Sequence, residues 1–376
     1  MLNFSPTEEQ EEICKLARSL AVERLRPQGR DAERKGDISP ALMQTLAETD
    51  ITMPFPEEFG GSGAIEAMTY TLIAEELGFG DGALAMNIIG SLMGPVTVLL
   101  AGNAYQQREY ITPFCDKHDG FEQRGSLAFA ERTGGYTLTE VTATARKEGD
   151  NYFLNGTKRD VIHGWESITR VVLLRLEGTA GSDGLCALMV PAQAEGLQIS
   201  ADVQKLGLVG APSASYHFTD AAIPAECMLG EPGNSGVIRA ATLYNILRAS
   251  VACGMARAAF EYAMDYSKER IAFGRPIVSY QGIAFMVAEM AMKLDAVRLL
   301  LWHAATNWDR TEAGYPQGAP LLYSIDELVR EAESAQHQAV EIAKSATIDA
   351  VQILGGAGFM QDHPVEMWMR NAAAME

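Results

Sequence analysis

The sequence predicts a protein of the α+β class in which a helical region, a β region and a second helical region follow one another along the chain. Apolar residues recur at helical spacing up to about residue 115, short β-like runs occupy about residues 122–230, and helical spacing then returns. With 376 residues the chain is long enough for two or three domains. The expected domains are residues 1–120, 121–232 and 233–376.

The first region begins with a helix start signal. Thr7 followed by Gln10 forms a capping box, and Ile13, Leu16 and Leu20 then recur on one helical face. Pro and Gly residues interrupt the pattern in TMPFPEEFGGSG at 52–63. Helical spacing resumes at 66–80 and ends at a glycine, which is typical of a helix terminus.

The β region contains four runs rich in β-branched and aromatic residues, bounded by Gly, Asp and Asn. They are NYFLNGTK at 151–158, RVVLLRL at 170–176, LCALMVP at 185–191 and ASYHFTDAAIP at 214–224. Alternation within them favours a small antiparallel or barrel-like domain. The sequence GEPGNSGV at 230–237 then indicates a linker.

Two long apolar stripes follow the linker. The first comprises Ile283, Met286, Val287, Met290, Leu294, Val297 and Leu301, and the second comprises Leu328, Ala335, Ala339, Ile342, Ala346 and Ile348. A capping box from Ser324 to Glu327 precedes the second stripe, and TEAGYPQGAP at 311–320 would connect the two helices. Helices of about 25 residues with one apolar face predict a bundle.

Charge and composition exclude several classes of function. A formal net charge of −19 argues against a nucleic-acid surface, because phosphate binding relies on clustered basic residues. No signal sequence and no apolar run of about 18 residues is evident, so we expect no membrane segment and a cytoplasmic protein. His and Cys spacing predicts no metal site. The one basic segment contains Arg24, Arg26, Arg30, Arg34 and Lys35, and it is either a solvated helix face or a docking patch for an acidic partner.

Several motifs in order resemble the acyl-CoA dehydrogenase family. They are PEEFGGSG at 56–63, GDNYFLNGTK at 149–158, the segment at 205–236, ERIAFGRPIVSYQGIAFMVAEMAMKLDAVR at 269–298 and DAVQILGGAGFMQDHPVEMWMRNA at 349–372. The resemblance covers nearly the whole chain. It implies an N-terminal helical domain, a central β-barrel-like domain and a C-terminal four-helix bundle. It also implies an FAD-dependent oxidoreductase that acts on an acyl thioester.

The resemblance assigns FAD-binding residues position by position. Arg270, Phe273 and Gln281 match positions that hold the pyrophosphate and adenosine. Gln352, Gly355 and Gly356 match positions that a neighbouring subunit supplies, where glycine lets backbone N–H groups approach phosphate. A shared FAD site implies a homodimer or homotetramer, and an electron-transfer flavoprotein is a possible electron acceptor.

The match fails around the flavin ring. The family's TEPxAGSD reads AERTGGYT at 130–137, so Ala130 replaces the Thr that touches the ring, and Tyr136 replaces the Ser. The family's WITNG reads DVIHG at 160–164. Asp160 therefore replaces the Trp that packs on the ring, Ile162 replaces a hydroxyl residue, and His163 replaces Asn. These changes remove about 1–3 kcal/mol of ring interactions.

The usual catalytic glutamate is missing from both positions that the family uses. One position lies nine residues after the Arg matched by Arg370, past the last residue of the sequence, and the other is Leu247. Glu376 lies three residues short of the first position, on a terminus expected to fray. Asp160 and His163 are the candidate acid–base residues. The alternative for His163 is a satisfied histidine in a β turn, and for Asp160 a turn or surface aspartate.

Three hypotheses of function remain. The first is a flavoenzyme that oxidises an acyl group on CoA or, as we favour, on an acyl carrier protein, as in forming aminomalonyl or hydroxymalonyl extender units. The second is a non-catalytic subunit of a heteromeric dehydrogenase. The third is an ordinary α,β-dehydrogenase with a truncated C-terminus, which does not explain the substitutions at 130–137 and 160–164.

Overall fold

The computed structural model describes residues 6–49, 51, 53–63, 65–116, 118–133, 135–201, 204–311 and 324–376. It confirms the predicted fold class: helices, then a sheet, then helices. The N-terminal helices are α1 Glu8–Leu20, a π-helical turn Ala21–Leu25, α2 Arg26–Lys35, α3 Pro40–Ala47, α4 Ala67–Gly80, α5 Gly82–Ala101 and α6 Ala104–Ile111. The capping box of Thr7 and Gln10 is present at the start of α1.

Helix α5 corrects one expectation from the sequence. It is long and apolar enough to cross a membrane, although no such run was expected. In the fold, however, 83% of its most apolar 18-residue window is buried, because other elements pack around it. A helix that is apolar all round is also typical of the core of a large protein, and α5 takes that place here.

A seven-stranded sheet forms the middle of the chain. Its strands are β1 Gly125–Ala128, β2 Thr144–Glu148, β3 Asn151–Ile162, β4 Thr169–Leu176, β5 Leu185–Met189, β6 Leu197–Ala201 and β7 Ser213–Pro224. The order is β1-β4-β2-β3-β7-β6, with β5 also pairing with β4. The four predicted runs fall on β3, β4, β5 and β7.

The sheet is mixed rather than purely antiparallel. Both β1 and β2 pair with β4 in parallel, while the remaining pairs are antiparallel. Alternation of apolar residues indicates a strand but carries no information about its partner. The sequence therefore located the strands without fixing their directions.

The described part of the C-terminal region contains three long helices and a short one. Its elements are α7 Ser235–Glu269, β8 Ile271–Ala272, β9 Arg275–Pro276, α8 Gln281–Arg310, α9 Ile325–Leu354 and α10 Val365–Ala373. On the first predicted stripe, Met290, Leu294, Val297 and Leu301 are buried and the other three are half-buried. On the second stripe Ile348 departs from the prediction, since it is 53% exposed. The capping box at Ser324 is present. The predicted connecting loop lies, apart from Thr311, outside the described residues.

Two glycines allow the N-terminal and C-terminal helices to cross at close range. A Cβ on Gly78 of α4 would lie 2.4 Å from the carbonyl oxygen of Val251, and a Cβ on Gly254 of α7 would lie 2.1 Å from that of Glu75. Real Cβ atoms do not approach backbone so closely. The contact of α4 with α7 therefore requires glycine at both positions. The contact with α4 holds α7 in the core, where α7 reaches the sheet.

Candidate active site

A cavity of about 340 Å3 lies between the sheet and the C-terminal helices. Strand β3 and the loop before β7 form one wall, and α7 together with the end of the chain forms the other. The polar and charged lining residues used below are Tyr136, Arg159, Asp160, Lys205, Arg248, Arg370 and Glu376. A cavity of this size holds a small ligand or part of a larger one.

A β-bulge places Asp160 at the cavity. Pairing of β3 with β7 is interrupted between Lys158 and Val161, so the two residues between them lie outside the regular ladder. Asp160 has φ 53°, a left-handed conformation that Asp tolerates better than most residues. Bulges commonly redirect a side chain beside a functional site. The exposed Asp160 side chain is one of those that line the cavity.

His163 does not line the cavity, although the sequence placed it beside the same ring. Its side chain is buried, with 1% of the residue exposed. Nε2 lies 3.1 Å from Asn87 Oδ1 and 3.2 Å from the Asn87 carbonyl oxygen. Nδ1 lies 3.7 Å from the Glu166 carboxylate, a contact that lowers the pKa of Glu166. Nδ1 makes no hydrogen bond with a described residue, so the alternative of a satisfied histidine holds only for Nε2, which joins the turn after β3 to α5.

A buried ion pair supports the strand that carries Asp160. Lys158 Nζ donates to Glu131 Oε1 at 2.6 Å, with 0% and 5% of the two side chains exposed. Burial lowers the pKa of Lys158 to about 8, against the opposite effect of Glu131. Burial also acts to raise the pKa of Glu131, but Lys158, the Thr142 hydroxyl and the Ala143 N–H group bring it below its ordinary value. The pair fixes the segment after β1 against β3.

Ala130 belongs to the same support rather than to the cavity lining. It is 4% exposed, and its carbonyl oxygen accepts a hydrogen bond from Arg159 N at 2.9 Å. Its methyl group offers no hydrogen bond to a ligand. Any contact of Ala130 with a flavin ring therefore stays a prediction from the resemblance.

Arg248 is a buried cation in the opposite wall. The residue is 2% exposed, and Nη2 donates to the carbonyl oxygen of Met375 at 2.7 Å. Its guanidinium carbon lies 3.3 Å from the centroid of the Tyr136 ring, which also packs edge-on against Phe129 and Tyr244. Nε and Nη1 have no hydrogen-bond partner within the described part of the chain.

The last residues are held in place rather than frayed. Met375 is 0% exposed, because it packs in the core and its carbonyl oxygen binds Arg248. Glu376 lines the cavity and forms an ion pair with Lys344 at 3.0 Å. The expectation of a frayed end is therefore wrong for the residues of this sequence. Leu247, the other family position for a base, is 3% exposed on α7.

The other cations of the cavity differ in how far their charge is neutralised. Arg370 forms ion pairs with Glu33 and Glu366. Lys205 donates to the carbonyl oxygen of Ala211. Arg159 makes no side-chain hydrogen bond or ion pair with any residue that the structure describes. The cavity thus carries local positive charge in a chain whose formal net charge is −19.

The residues matched to the nucleotide end of FAD are exposed. The Phe273 side chain is 97% exposed on the hairpin between β8 and β9, with Arg270 and Gln281 exposed on either side of it. Gln352, Gly355 and Gly356 are exposed at the end of α9. A Cβ on either glycine would meet no atom within 4 Å, so packing does not require glycine there. This open space would let a phosphate group approach the backbone N–H groups of Gly355 and Gly356, as the sequence predicts.

No hydrogen bond or ion pair joins these two groups within the described ranges. The Phe273 ring is open to a ligand or to a second copy, because 97% of the residue is exposed. An adenine and pyrophosphate together with a second copy would cover both groups. The residues present therefore fit FAD at its nucleotide end.

The basic segment near the N-terminus is largely occupied by contacts within the chain. Arg26 donates to the Phe79 carbonyl oxygen and stacks on Phe79 and Trp368, and Arg30 pairs with Glu33 and Glu366. Arg34 pairs with Asp31. The structure therefore favours a structural role for this segment over a docking patch.

Sequence reasoning missed three members of the cavity. Tyr136 was noticed only as a substitution, Arg159 has no pattern around it, and Arg248 served only to locate the empty Leu247 position. Their roles depend on contacts between distant parts of the chain. The resemblance to a family motif was the one signal that could have drawn attention to Arg248.

Comparison with known proteins agrees with the geometry. The models of the N-terminal, middle and C-terminal domains of acyl-CoA dehydrogenase match residues 7–118, 126–221 and 234–376. The mitochondrial short-chain specific acyl-CoA dehydrogenase of Mus musculus is 32% identical over 96% of this chain and 84% of its own length. An acyl-CoA dehydrogenase of Bacillus subtilis is 31% identical over 97% and 93%.

Solved structures share the same architecture. The butyryl-CoA dehydrogenase of Megasphaera elsdenii has a TM-score of 0.81 and 27% identity, over 100% of this chain and 95% of that one. An FAD complex of PigA, with a TM-score of 0.84, 20% identity and coverage of 100% and 94%, is similar in fold alone. Three domain matches and relatives above 30% identity lead to one conclusion. This chain belongs to the acyl-CoA dehydrogenase family of FAD-dependent oxidoreductases.

Proposed function

We propose that this chain oxidises an acyl group carried as a thioester on an acyl carrier protein, with Asp160 as the proton acceptor in place of the family's glutamate. The observation that carries the proposal is the cavity between β3 and α7, in which Asp160 replaces the ring-packing Trp of the family. A carboxylate in place of an aromatic ring changes the chemistry available beside the flavin.

The cofactor would be divided between two sets of residues. Arg270, Phe273 and Gln281 would hold the nucleotide end, together with Gly355 and Gly356 of a second copy. The ring would lie in or beside the cavity, against the segment that contains Asp160. FAD, when bound there, accepts the hydride that leaves the substrate carbon.

The proposed step is the oxidation of a hydroxyl or hydrated aldehyde in the acyl group. The carbon loses a hydride, and the oxygen loses a proton to Asp160, so that a C–H and an O–H bond break and a carbonyl forms. Removing a proton from oxygen requires a weaker base than removing one from carbon. Asp160 is exposed at the cavity, whereas His163 is buried against Asn87, so the geometry favours Asp160 over His163. Glu376, on the same cavity, is the competing base.

A carrier protein suits the cavity mouth. Arg159 and Lys205 provide positive charge there, and Leu206 is 75% exposed beside them. Carrier proteins present an acidic surface around the thioester arm, so charge complementarity would orient the encounter. A prolyl acyl carrier protein oxidase, AnaB, has the same fold at 20% identity, which by itself supports the architecture only.

We further propose that the protein assembles from identical subunits in the cytoplasm. Phe285, Met292 and Leu299 recur every seven residues on α8 and are 67%, 66% and 50% exposed in the single chain. Such an apolar stripe is typical of a helix face that packs against another subunit. Electron-transfer flavoprotein is the proposed acceptor of the electrons.

The test compares substrates by the loss of flavin absorbance. Purified protein would be mixed anaerobically with one hydroxyacyl thioester on carrier protein, on CoA and on pantetheine. The proposal expects the yellow colour to bleach fastest with the carrier-bound thioester. Equal rates with all three would remove the carrier protein from the proposal. A colourless protein that takes up no added FAD would instead favour the non-catalytic subunit of a heteromer.

A further inference from the structure

We infer that Arg248 binds a carboxylate on the acyl group, so that the substrates are thioesters whose acyl group carries an ionised carboxyl group of its own. This inference rests on the proposed function, because it concerns the same cavity. It names the chemical class of the substrate and the residue that selects it.

The first step is the unpaired state of the Arg248 guanidinium. The residue is 2% exposed and reaches the cavity wall, yet Nε and Nη1 have no partner within the described ranges. Only Nη2 is engaged, with the neutral carbonyl oxygen of Met375. Buried donors in native proteins almost always have acceptors, so an arginine left with two unpaired nitrogen atoms beside a cavity indicates a ligand.

The second step is the balance of charge around the cavity. Of the two acidic side chains in its lining, Glu376 already pairs with Lys344. Arg370 is neutralised by Glu33 and Glu366, while Arg159 has no ion pair among the described residues. Among the described lining residues there are thus four cations, Arg159, Lys205, Arg248 and Arg370, against two carboxylates, Asp160 and Glu376. An additional anion fits this excess of positive charge.

The third step is the position of Arg248 relative to the reaction. A carbon that gives up a hydride must lie against the flavin ring, which the family match places beside Asp160 and Ile162 on the β3 wall. Arg248 lies on the α7 wall of the same cavity. An acyl group between the two walls would therefore meet Arg248 with the side that faces away from the ring.

The fourth step is the shape of the donor. The Tyr136 ring lies 3.3 Å from the guanidinium carbon and covers one face of the group. Hydrogen bonds from a guanidinium lie in its plane, so a stacked ring leaves those directions to an acceptor. A planar carboxylate matches the fork of N–H donors better than a neutral oxygen or a hydrocarbon chain does. A simple aliphatic acyl group would leave both nitrogen atoms unpaired.

The experiment compares two acyl groups of nearly equal shape. Succinyl-pantetheine carries the carboxylate, and succinamyl-pantetheine replaces it with a neutral amide. Affinity for the FAD-loaded protein would be measured by calorimetry and by perturbation of the flavin spectrum, neither of which requires turnover. We expect succinyl-pantetheine to bind at least about 100-fold more tightly, because a site built for a polar group rejects the analogue that lacks it. Equal affinities would overturn the inference.

Two variants test whether Arg248 causes the preference for succinyl-pantetheine. Arg248→Lys keeps the charge but loses the fork, and it should reduce the preference for succinyl-pantetheine at least about tenfold. The matched control is Arg239→Lys, since Arg239 is also buried on α7 but stacks on Trp308 away from the cavity. The preference should survive in this control. If Arg248→Lys does not fold, Arg159→Gln at the cavity is measured instead. It should reduce the preference for succinyl-pantetheine by a smaller factor.

The outcomes separate the inference from the proposed function. Bleaching by a hydroxyacyl thioester with no preference for succinyl over succinamyl would leave the oxidation standing and reject the carboxylate site. A protein that takes up no FAD would reject the oxidation, and calorimetry on the flavin-free protein would then decide whether Arg248 selects a carboxylate.

Discussion

The guanidinium carbon of Arg248 lies 3.3 Å from the centroid of the Tyr136 ring, which joins the C-terminal helices to the sheet beside the cavity. Tyr136 stands where the family has a small hydroxyl residue, and its ring also contacts Phe129 and Tyr244. A cation stacked on an aromatic face is stabilised by roughly 0.5–2 kcal/mol. The contact therefore fixes one wall of the cavity against the other.

Asp160→Asn should slow flavin reduction by about 10²- to 10⁴-fold, the usual contribution of a general base. Asn accepts the left-handed backbone at this position as readily as Asp, so the β-bulge and the fold should be retained. The rate would be measured by stopped-flow absorbance with a carrier-bound hydroxyacyl thioester.

Two matched variants complete the test of Asp160. Glu376→Gln removes the other carboxylate of the cavity and should change the rate by less than about threefold if Asp160 is the base. His163→Asn should act on stability through its contact with Asn87 and leave the rate constant of the folded protein almost unchanged. A large loss in Glu376→Gln with none in Asp160→Asn would assign the base to Glu376.

The contrast between Asp160 and His163 shows how far a sequence match reaches. Both positions were predicted beside the ring from one five-residue motif, but strand geometry separates them. The bulge before Val161 places Asp160 at the cavity, while His163 lies in the following turn with its ring against Asn87, 76 residues away. A motif gives the order of residues along the backbone. It does not give the direction of each side chain after a break in the ladder.

The fold was more predictable than the site because periodic patterns are local. The stripe on α8 and the capping boxes at Thr7 and Ser324 each depend on residues within one helix. Arg248 instead binds Met375, 127 residues later, and stacks on Tyr136 from a different domain. No spacing in the sequence records such contacts. The same reason explains why the parallel pairing of β1 with β4 was not foreseen.

Phe273→Ala should lower the affinity for FAD by at least about tenfold, because an aromatic anchor in a binding site commonly contributes more than 1 kcal/mol. The side chain is 97% exposed in the single chain, so its truncation removes no packing within the subunit. FAD affinity would be measured by fluorescence quenching on titration of the flavin-free protein. Tyr105→Ala, at a 72% exposed ring on α6, is the control and should leave the affinity unchanged. Unaltered FAD binding in Phe273→Ala would remove this residue from the site.

Met292→Glu should shift the protein toward smaller assemblies. Met292 occupies the centre of the exposed stripe with Phe285 and Leu299, and a charge buried in an apolar interface is costly. Sedimentation velocity across a range of protein concentrations would measure the change. Tyr105→Glu introduces the same charge on a different exposed ring and should leave the assembly intact. If both variants sediment like the unmodified protein, the α8 face is not a subunit interface.

Removal of one partner of the Glu131–Lys158 pair should be strongly destabilising. Lys158→Met leaves the Glu131 carboxylate buried without its cation, which costs about 3–5 kcal/mol in the free energy of unfolding. The double variant Glu131→Gln with Lys158→Met should regain much of that loss, because neither group is then charged. Urea denaturation at pH 7 would measure both. Lys15→Met, in an exposed pair with Glu12, serves as the control and should cause no measurable change.

The Glu131–Lys158 pair also predicts that the free energy of unfolding depends on pH. The pKa of Glu131 is lower in the folded chain than its ordinary value of 4.5, so the unfolded chain takes up the proton first as the pH falls. The stabilisation from this carboxylate is therefore present above about pH 4.5 and is lost as the pH falls through the folded pKa. The double variant should lose less stability than the unmodified protein between pH 5 and the acid range. Parallel curves would indicate that Glu131 keeps an ordinary pKa in the folded chain.

Gly254→Ala should destabilise the protein by about 1–3 kcal/mol, the usual cost of overpacking a dense core. The added methyl carbon would lie 2.1 Å from the Glu75 carbonyl oxygen and 2.6 Å from Phe79 N, so α4 and α7 would have to move apart. Because α7 carries Arg248, the movement should also weaken binding at the cavity. Gly282→Ala on α8 is the matched control, since its Cβ would meet nothing within 4 Å, and alanine favours a helix. Thermal unfolding and FAD titration of the two variants would measure both effects, and equal stability would mean that the two helices do not depend on this close crossing.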